Sequence, residues 1–161
     1  MQPKQEIEDS YKTPDPWQYQ TTPDDVLRKN YLLGIVNLFG PYHRALDIGA
    51  GEGWITQDLP AKSIFGYEIS DNAAARFPAN VSRVLVPEGK YDLVIATGVM
   101  YGHYDWVGFL RILNEHSSRI IITSNIKPWE VNFPPSVVGT PVFEAEFPYR
   151  EWQQKVRVWK K

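Results

Sequence analysis

The sequence predicts an α/β fold: a mostly parallel sheet with helices on both faces and an antiparallel strand pair at its C-terminal end. Three observations carry this. From Arg44 to Ser124, short β-type runs alternate with helix-like segments. Two of the runs, YDLVIAT and SRIIITS, are apolar on both faces, as strands covered from both sides must be. The tail differs: PVFEAEFPYR and WQQKVRVWK alternate with period 2 and read as antiparallel neighbours.

In chain order, residues 1–15 are polar and proline-bearing and are expected to lie loose. Residues 16–40 form a cap segment and a helix, and 41–161 the α/β core of a single domain. The helix starts at Thr22, an N-cap residue type, followed by Pro23 and by Asp24 and Asp25, which complement the helix dipole. Val26, Leu27, Tyr31, Leu32, Ile35, Val36, Leu38 and Phe39 recur at helical spacing until Gly40-Pro41 ends the run. ALDIG is the first strand, with a helix from Trp54 to Leu59. SIFGYEI is the second, with a helix from Asp71 to Phe77 that Pro78 stops. SRVLV is the third, YDLVIAT the fourth with a helix from Tyr104 to Asn114, and SRIIITS the fifth. Only PEGK separates the third strand from the fourth, too little for an ordinary parallel crossover. Either these two strands are not parallel, or the third pairs elsewhere.

Composition narrows function. The net charge is −2 and the only basic run is Lys160-Lys161, which gives duplex nucleic acid no electrostatic footprint. There is no cysteine, so disulfides, thiolate nucleophiles and thiolate-held metals are excluded, and no metal is expected. No apolar stretch approaches a membrane span, and MQPKQEIEDS does not read as a signal peptide, so a soluble, cytoplasmic protein is expected.

The stretch RALDIGAGEGWITQDLP carries the chemistry. Its glycines, Gly49, Gly51 and Gly53, form a tight turn between the first strand and the helix-like segment after it. A dinucleotide fingerprint needs G-x-G-x-x-G, and Trp54 stands where its third glycine belongs; no Walker-type sequence occurs. Asp47, just ahead of the turn, would repel a pyrophosphate but suits an ammonium group. Glu68, ending the next strand, is placed to accept hydrogen bonds from two ribose hydroxyls. A ligand with a ribose, a cationic amine and no phosphate fits this pair, and S-adenosylmethionine answers the description.

ALDIGAGEGWIT and IFGYEIS resemble motifs I and II of the class I S-adenosylmethionine-dependent methyltransferases. Upstream, DPWQYQTTPDDVLRKNYLL is similar to the opening segment of the NodS-like N-methyltransferases, and YDLVIATGVMYGHYD to their fourth-strand region. The resemblance implies a Rossmann-like fold whose sheet is parallel except for its last-inserted strand. It implies S-adenosylmethionine as cofactor, held by Asp47, Gly49, Ala50, Gly51, Gly53, Glu68 and Ile69, with Thr97 and Gly98 from the end of the fourth strand. Arg28 would reach the methionine carboxylate, and Trp17 with Tyr19 would close over the cofactor. An acidic contact to the adenine amine would have to come from Glu88.

Each residue also has a plainer reading. The glycines serve any tight turn, Asp47 is a helix-cap type, Glu68 suits an exposed strand end and Ile69 the core. Trp17 and Tyr19 are equally anchors for the terminus, and Arg28 a solvated helix charge. Beyond the fourth strand lie Tyr101, His103 and Tyr104, candidates for the acceptor site: His103 as a base and the tyrosines as walls, or as surface and helix-start residues. Asp105 is a helix N-terminal charge. NFPPS has the wrong order and place for a DNA amino-methyltransferase motif, and cytosine C5 methylation is excluded by the missing cysteine.

The expected activity is therefore methyl transfer to a small-molecule acceptor, an amine such as an amino sugar, by direct in-line displacement. The alternatives are a non-catalytic cofactor-binding module, an O-methyltransferase, a nucleic-acid methyltransferase or a nicotinamide oxidoreductase. Oligomeric state is left open.

Overall fold

The computed structural model describes residues 3–100, 105–131 and 133–161. Seven strands form one sheet: β1 (Tyr42–Ile48), β2 (Ala61–Tyr67), β3 (Val81–Val84), β4 (Tyr91–Thr97), β5 (Ser117–Ile126), β6 (Phe143–Tyr149) and β7 (Trp152–Lys160). Their spatial order is β3-β2-β1-β4-β5-β7-β6. Neighbours from β3 through β5 pair in parallel, while β7 runs antiparallel to both β5 and β6. Only β7 is therefore reversed, as expected for the last-inserted strand. The order reverses between β1 and β4, and the crevice beyond the carboxyl ends of these strands is where open α/β sheets bind ligands.

The helices are α1 (Lys4–Ser10), α2 (Pro23–Phe39), α3 (Asp71–Ala74) and α4 (Trp106–His116). One face of the sheet packs Ala45, Ile64, Leu93, Ile120, Ile122, Val156 and Val158 beneath Leu32, Ile35 and Val36 of α2. The other packs Leu46, Val94, Ile121 and Trp159 beneath Leu110 and Leu113 of α4. Each strand thus divides its side chains between two apolar layers, which is why the central runs carry no polar face.

Five expectations need correction. The helix expected after β1 is a single 3₁₀ turn, Thr56–Asp58, and the one expected over Asp71–Phe77 ends at Ala74. The buried stripe of α2 runs through Asp25, Arg28, Leu32, Ile35 and Val36, leaving Val26, Leu27, Tyr31 and Leu38 exposed. Asp25 does more than complement a dipole: its carboxylate accepts hydrogen bonds from Tyr149 Oη and Arg150, each at 2.8 Å. Residues 3–15 are not loose: Lys4, Glu8 and Tyr11 are all tied to α3 and the segment after it.

The short connection resolves as pairing elsewhere. β3 sits at the sheet edge against β2, and the registers bring Val81, Ile64, Ala45 and Leu93 level. From Val84 the chain must return about 17 Å along the strands and about 14 Å across three strand spacings. Seven Cα steps reach only ~23–25 Å, so the link Leu85–Lys90 has no slack for a helix. Leu85 and Val86 are left 75% and 66% exposed.

Candidate active site

The turn after β1 is built by its glycines. Gly49 and Ala50 donate to the Tyr67 carbonyl at 2.8 and 3.1 Å, which folds the turn back over the end of β2. Gly49 and Gly51 have φ of +80° and +56°, in the left-handed region where a side chain is strained. Space is short as well. A Cβ on Gly49 would lie 2.0 Å from Val99 Cγ1, and one on Gly51 2.7 Å from the Tyr11 hydroxyl. The bodies that come so close to this backbone are parts of the chain itself. Gly53 faces Pro78 and Phe77 rather than the cavity, so of the three glycines it is the one set apart from the site.

Two carboxylates flank the turn. Glu68 is buried, with Oε2 accepting from Gly51 N–H and Oε1 from Ser70 N–H, both at 2.9 Å. Each oxygen keeps acceptor capacity toward the cavity. Burial raises its pKa, against those backbone donors. Asp47 is deeper. Its Oδ2 accepts from the Thr56 hydroxyl at 2.7 Å, while Oδ1 is buried without a partner among the described residues. Burial pushes its pKa up to about 7, the Thr56 bond opposing and the Glu68 charge reinforcing.

Arg28 supplies the opposite charge. Its guanidinium lies between the rings of Tyr19 and Tyr149, 5.3 and 5.4 Å from their centroids. Nε stands 3.4 Å from Asp25 but has no hydrogen-bond acceptor among the described residues. Gly98, just past the end of β4, stands beside the cation: a Cβ there would lie 3.6 Å from Arg28 Nη1, at ordinary contact distance.

The N-terminal arm closes the site. Lys4 pairs with Asp71 at 3.0 Å, and Glu8 accepts from Asn72 N–H at 3.0 Å. Arg76 donates to the Tyr11 carbonyl at 2.9 Å and to Glu52 at 2.6 Å, while Glu52, inside the glycine turn, also accepts from Asp15 N–H at 3.0 Å. Tyr11, Trp17, Tyr19 and Trp54 then follow one another as a wall of rings with centroids 5.0, 5.7 and 6.4 Å apart. Since Arg76 fastens the arm without lining the cavity, Arg76→Ala is expected to speed backbone hydrogen exchange across residues 4–20 by about tenfold, for roughly 1–1.5 kcal/mol of lost hydrogen bonding. Exchange followed by mass spectrometry reads this, with β4 and β5 as unchanged internal controls.

These elements enclose a cavity of about 310 Å³. Of the cofactor residues expected from sequence, Trp17, Arg28, Asp47, Gly49, Ala50, Gly51, Glu68, Ile69, Thr97 and Gly98 all line it. Glu88 does not; Pro87 lines the cavity in its place. Tyr101, His103 and Tyr104 lie outside the described residues. Sequence reading missed Ile7, Tyr11 and Glu52, and it missed Val99, Met100, Phe109 and Ile112 on the far side. Only Glu52 carried a local signal, a charged residue within the glycine turn.

No family model matches the chain, and no curated protein matches its sequence. Solved structures match its shape. The N-methyltransferase NodS from Bradyrhizobium japonicum WM9, in complex with S-adenosyl-L-homocysteine, superposes with a TM-score of 0.82 at 15% identity, covering 98% of this chain and 97% of that one. This chain has the methyltransferase fold. The magnesium protoporphyrin IX methyltransferase from Synechocystis PCC 6803 with bound SAM gives 0.76 at 14% identity, over 98% of this chain and 96% of that one. A putative RNA methyltransferase from Pyrococcus horikoshii gives 0.66 at 15% identity, over 100% and 97%. In this chain β1 is followed by a 3₁₀ turn, β2 by a four-residue helix and β3 by the link Leu85–Lys90.

Proposed function

We propose that this protein transfers a methyl group from S-adenosylmethionine to an amine of a small acceptor. One observation carries the reading: two buried carboxylates, Asp47 and Glu68, line the same cavity at the ends of adjacent strands, with the Arg28 cation also in its wall. Two acids repel a phosphate, and no regular helix follows the glycine turn to offer a dipole for one. The orphaned Asp47 oxygen suits a ligand ammonium group, the free acceptor capacity of Glu68 suits two ribose hydroxyls, and the fork of Arg28 suits a carboxylate. S-adenosylmethionine offers all three, and supplies a methyl group already activated on a sulfonium.

The chain's remaining work is alignment and exclusion of water. Orientation of that kind is worth on the order of 7–11 kcal/mol in favourable cases. Trp17 and Tyr19 present ring faces that favour cationic groups and shield the transfer point. In this reading His103, between Met100 and Asp105, accepts the proton that the amine gives up, and Tyr101 and Tyr104 wall the acceptor. The mild negative charge and the absence of a basic run favour a small acceptor over a nucleic acid.

Calorimetry with S-adenosylhomocysteine and with NAD tests the cofactor, followed by a product assay against a panel of amines and hydroxyls. Binding of S-adenosylhomocysteine and turnover of amines are expected. Binding of NAD alone overturns the reading, and tight binding with no turnover on a broad panel replaces it with a non-catalytic module.

Asp47 adds a pH signature. Its folded pKa of about 7 lies above its ordinary value of 3.8. The native state therefore holds a proton that the unfolded chain gives up, and this group's contribution to stability falls as pH rises from about 4 to 7, then levels. A bound ammonium favours the carboxylate. Binding at about pH 6 is expected to release close to one proton from Asp47, and at about pH 8 almost none. Calorimetry in buffers of different ionisation enthalpy measures it, and Asp47→Asn should abolish the pH 6 release.

A further inference from the structure

A buried acid near the cavity serves two arginines. Asp25 is fully buried, and each of its oxygens has a partner from the end of the C-terminal hairpin: Oδ1 accepts from Tyr149 Oη and Oδ2 from Arg150, both at 2.8 Å. Arg28, one helical turn on, brings Nε to 3.4 Å from the same Oδ1. Of these four residues Arg28 lines the cavity, and Asp25, Tyr149 and Arg150 do not.

The hairpin holds Arg150 at a backbone cost. Tyr149 pairs with Trp152, which leaves the two-residue turn Arg150-Glu151, and Arg150 has a φ of +52°. Glycine, asparagine or aspartate ordinarily takes the first place of such a turn. Arginine is strained there, and what the strain secures is the contact with Asp25. Charge says why that contact matters. A carboxylate three residues before an arginine on a helix, with no other partner, draws the guanidinium into a two-pronged pair. Here the hairpin claims both oxygens first. Two cations surround one acid, and the charge left over belongs to the arginine that lines the cavity.

We propose that Arg150 is a positioning residue: by holding Asp25, it keeps the Arg28 guanidinium free for the carboxylate of the cofactor's amino-acid end. The inference rests on the methyl-transfer reading, in which Arg28 takes that carboxylate. Without Arg150, Asp25 Oδ2 is released, Arg28 turns onto it, and the ligand loses its fork.

The probes are S-adenosylhomocysteine and its decarboxylated form, which keeps the nucleoside, the sulfur and the amine, titrated by calorimetry into the full chain. The parent is expected to bind S-adenosylhomocysteine at least about tenfold more tightly, for one charge-assisted pair. In Arg150→Gly, a change that suits the left-handed turn, the two ligands should bind within about threefold of each other, the decarboxylated one as in the parent. Adding Asp25→Asn removes the competing acid and should restore the preference. Arg150→Gly keeping the preference, or weakening both ligands alike, overturns the inference alone, because Arg150 is then idle or merely braces the fold. Absence of recovery with Asp25→Asn overturns it as well. A parent without the preference overturns the Arg28 assignment together with the inference, and a parent that binds neither ligand overturns the methyl-transfer reading itself.

Discussion

Gly49→Ala is expected to destabilise the protein by about 3 kcal/mol, more than any other one-methyl addition to the glycine turn. Two separate costs meet at this residue. Its φ of +80° is a conformation that an L side chain adopts only with strain, worth roughly 1–2 kcal/mol. Its Cβ would also sit 2.0 Å from Val99 Cγ1, an overlap that must be relieved by moving β4's outgoing chain, at typically 1–3 kcal/mol. Neither cost can be avoided by sliding the turn, because Gly49 and Ala50 both donate to the Tyr67 carbonyl.

Urea unfolding of the variant measures the sum, and a second substitution divides it. Val99→Ala removes the methyl group in the way but leaves the backbone conformation as it is. In that background Gly49→Ala should still cost about 1 kcal/mol. A variant within about 0.5 kcal/mol of the parent, the range of an indifferent surface change, would show that the turn is looser than its contacts indicate.

This residue also shows what sequence could and could not reveal. The strands, the turn and the acids at the ends of β1 and β2 were legible because each is a local pattern: an apolar run, a glycine triplet, a carboxylate at a strand end. Why the glycines are needed was not legible. Val99 is brought to Gly49 only by the pairing of β1 with β4, and Tyr11 to Gly51 only by the docked arm.

The arm hid for the same reason. None of the residues of α1 is buried, so no apolar period marks it, and it is fastened to α3 by Lys4–Asp71 and by Glu8 with Asn72, more than sixty positions away. Asp25 misled in the opposite sense. At the first turn of a helix an aspartate has a sufficient local explanation in the dipole, yet here its partners Tyr149 and Arg150 come from the far end of the chain. Local chemistry finds groups that line the cavity; the groups that hold those in place are a product of the fold.

Glu68 belongs to both kinds, and this shapes its test. Glu68→Gln is expected to weaken S-adenosylhomocysteine by at least ~100-fold, from two charge-assisted hydrogen bonds of roughly 1.5–3 kcal/mol each to the ribose. The substitution also disturbs the free protein. The carboxylate now accepts from Gly51 and Ser70 with one oxygen each, and an amide has only one oxygen to offer, so a backbone N–H loses its acceptor. Affinity alone would confuse the two effects. The ligand resolves them: in the parent, removing the 2′- or 3′-hydroxyl of S-adenosylhomocysteine should cost at least about tenfold. In Glu68→Gln the same removal should cost little, because the partner of that hydroxyl has already gone. Equal penalties in the two proteins would mean that Glu68 only braces the turn, and the sugar would have to be sought elsewhere in the cavity.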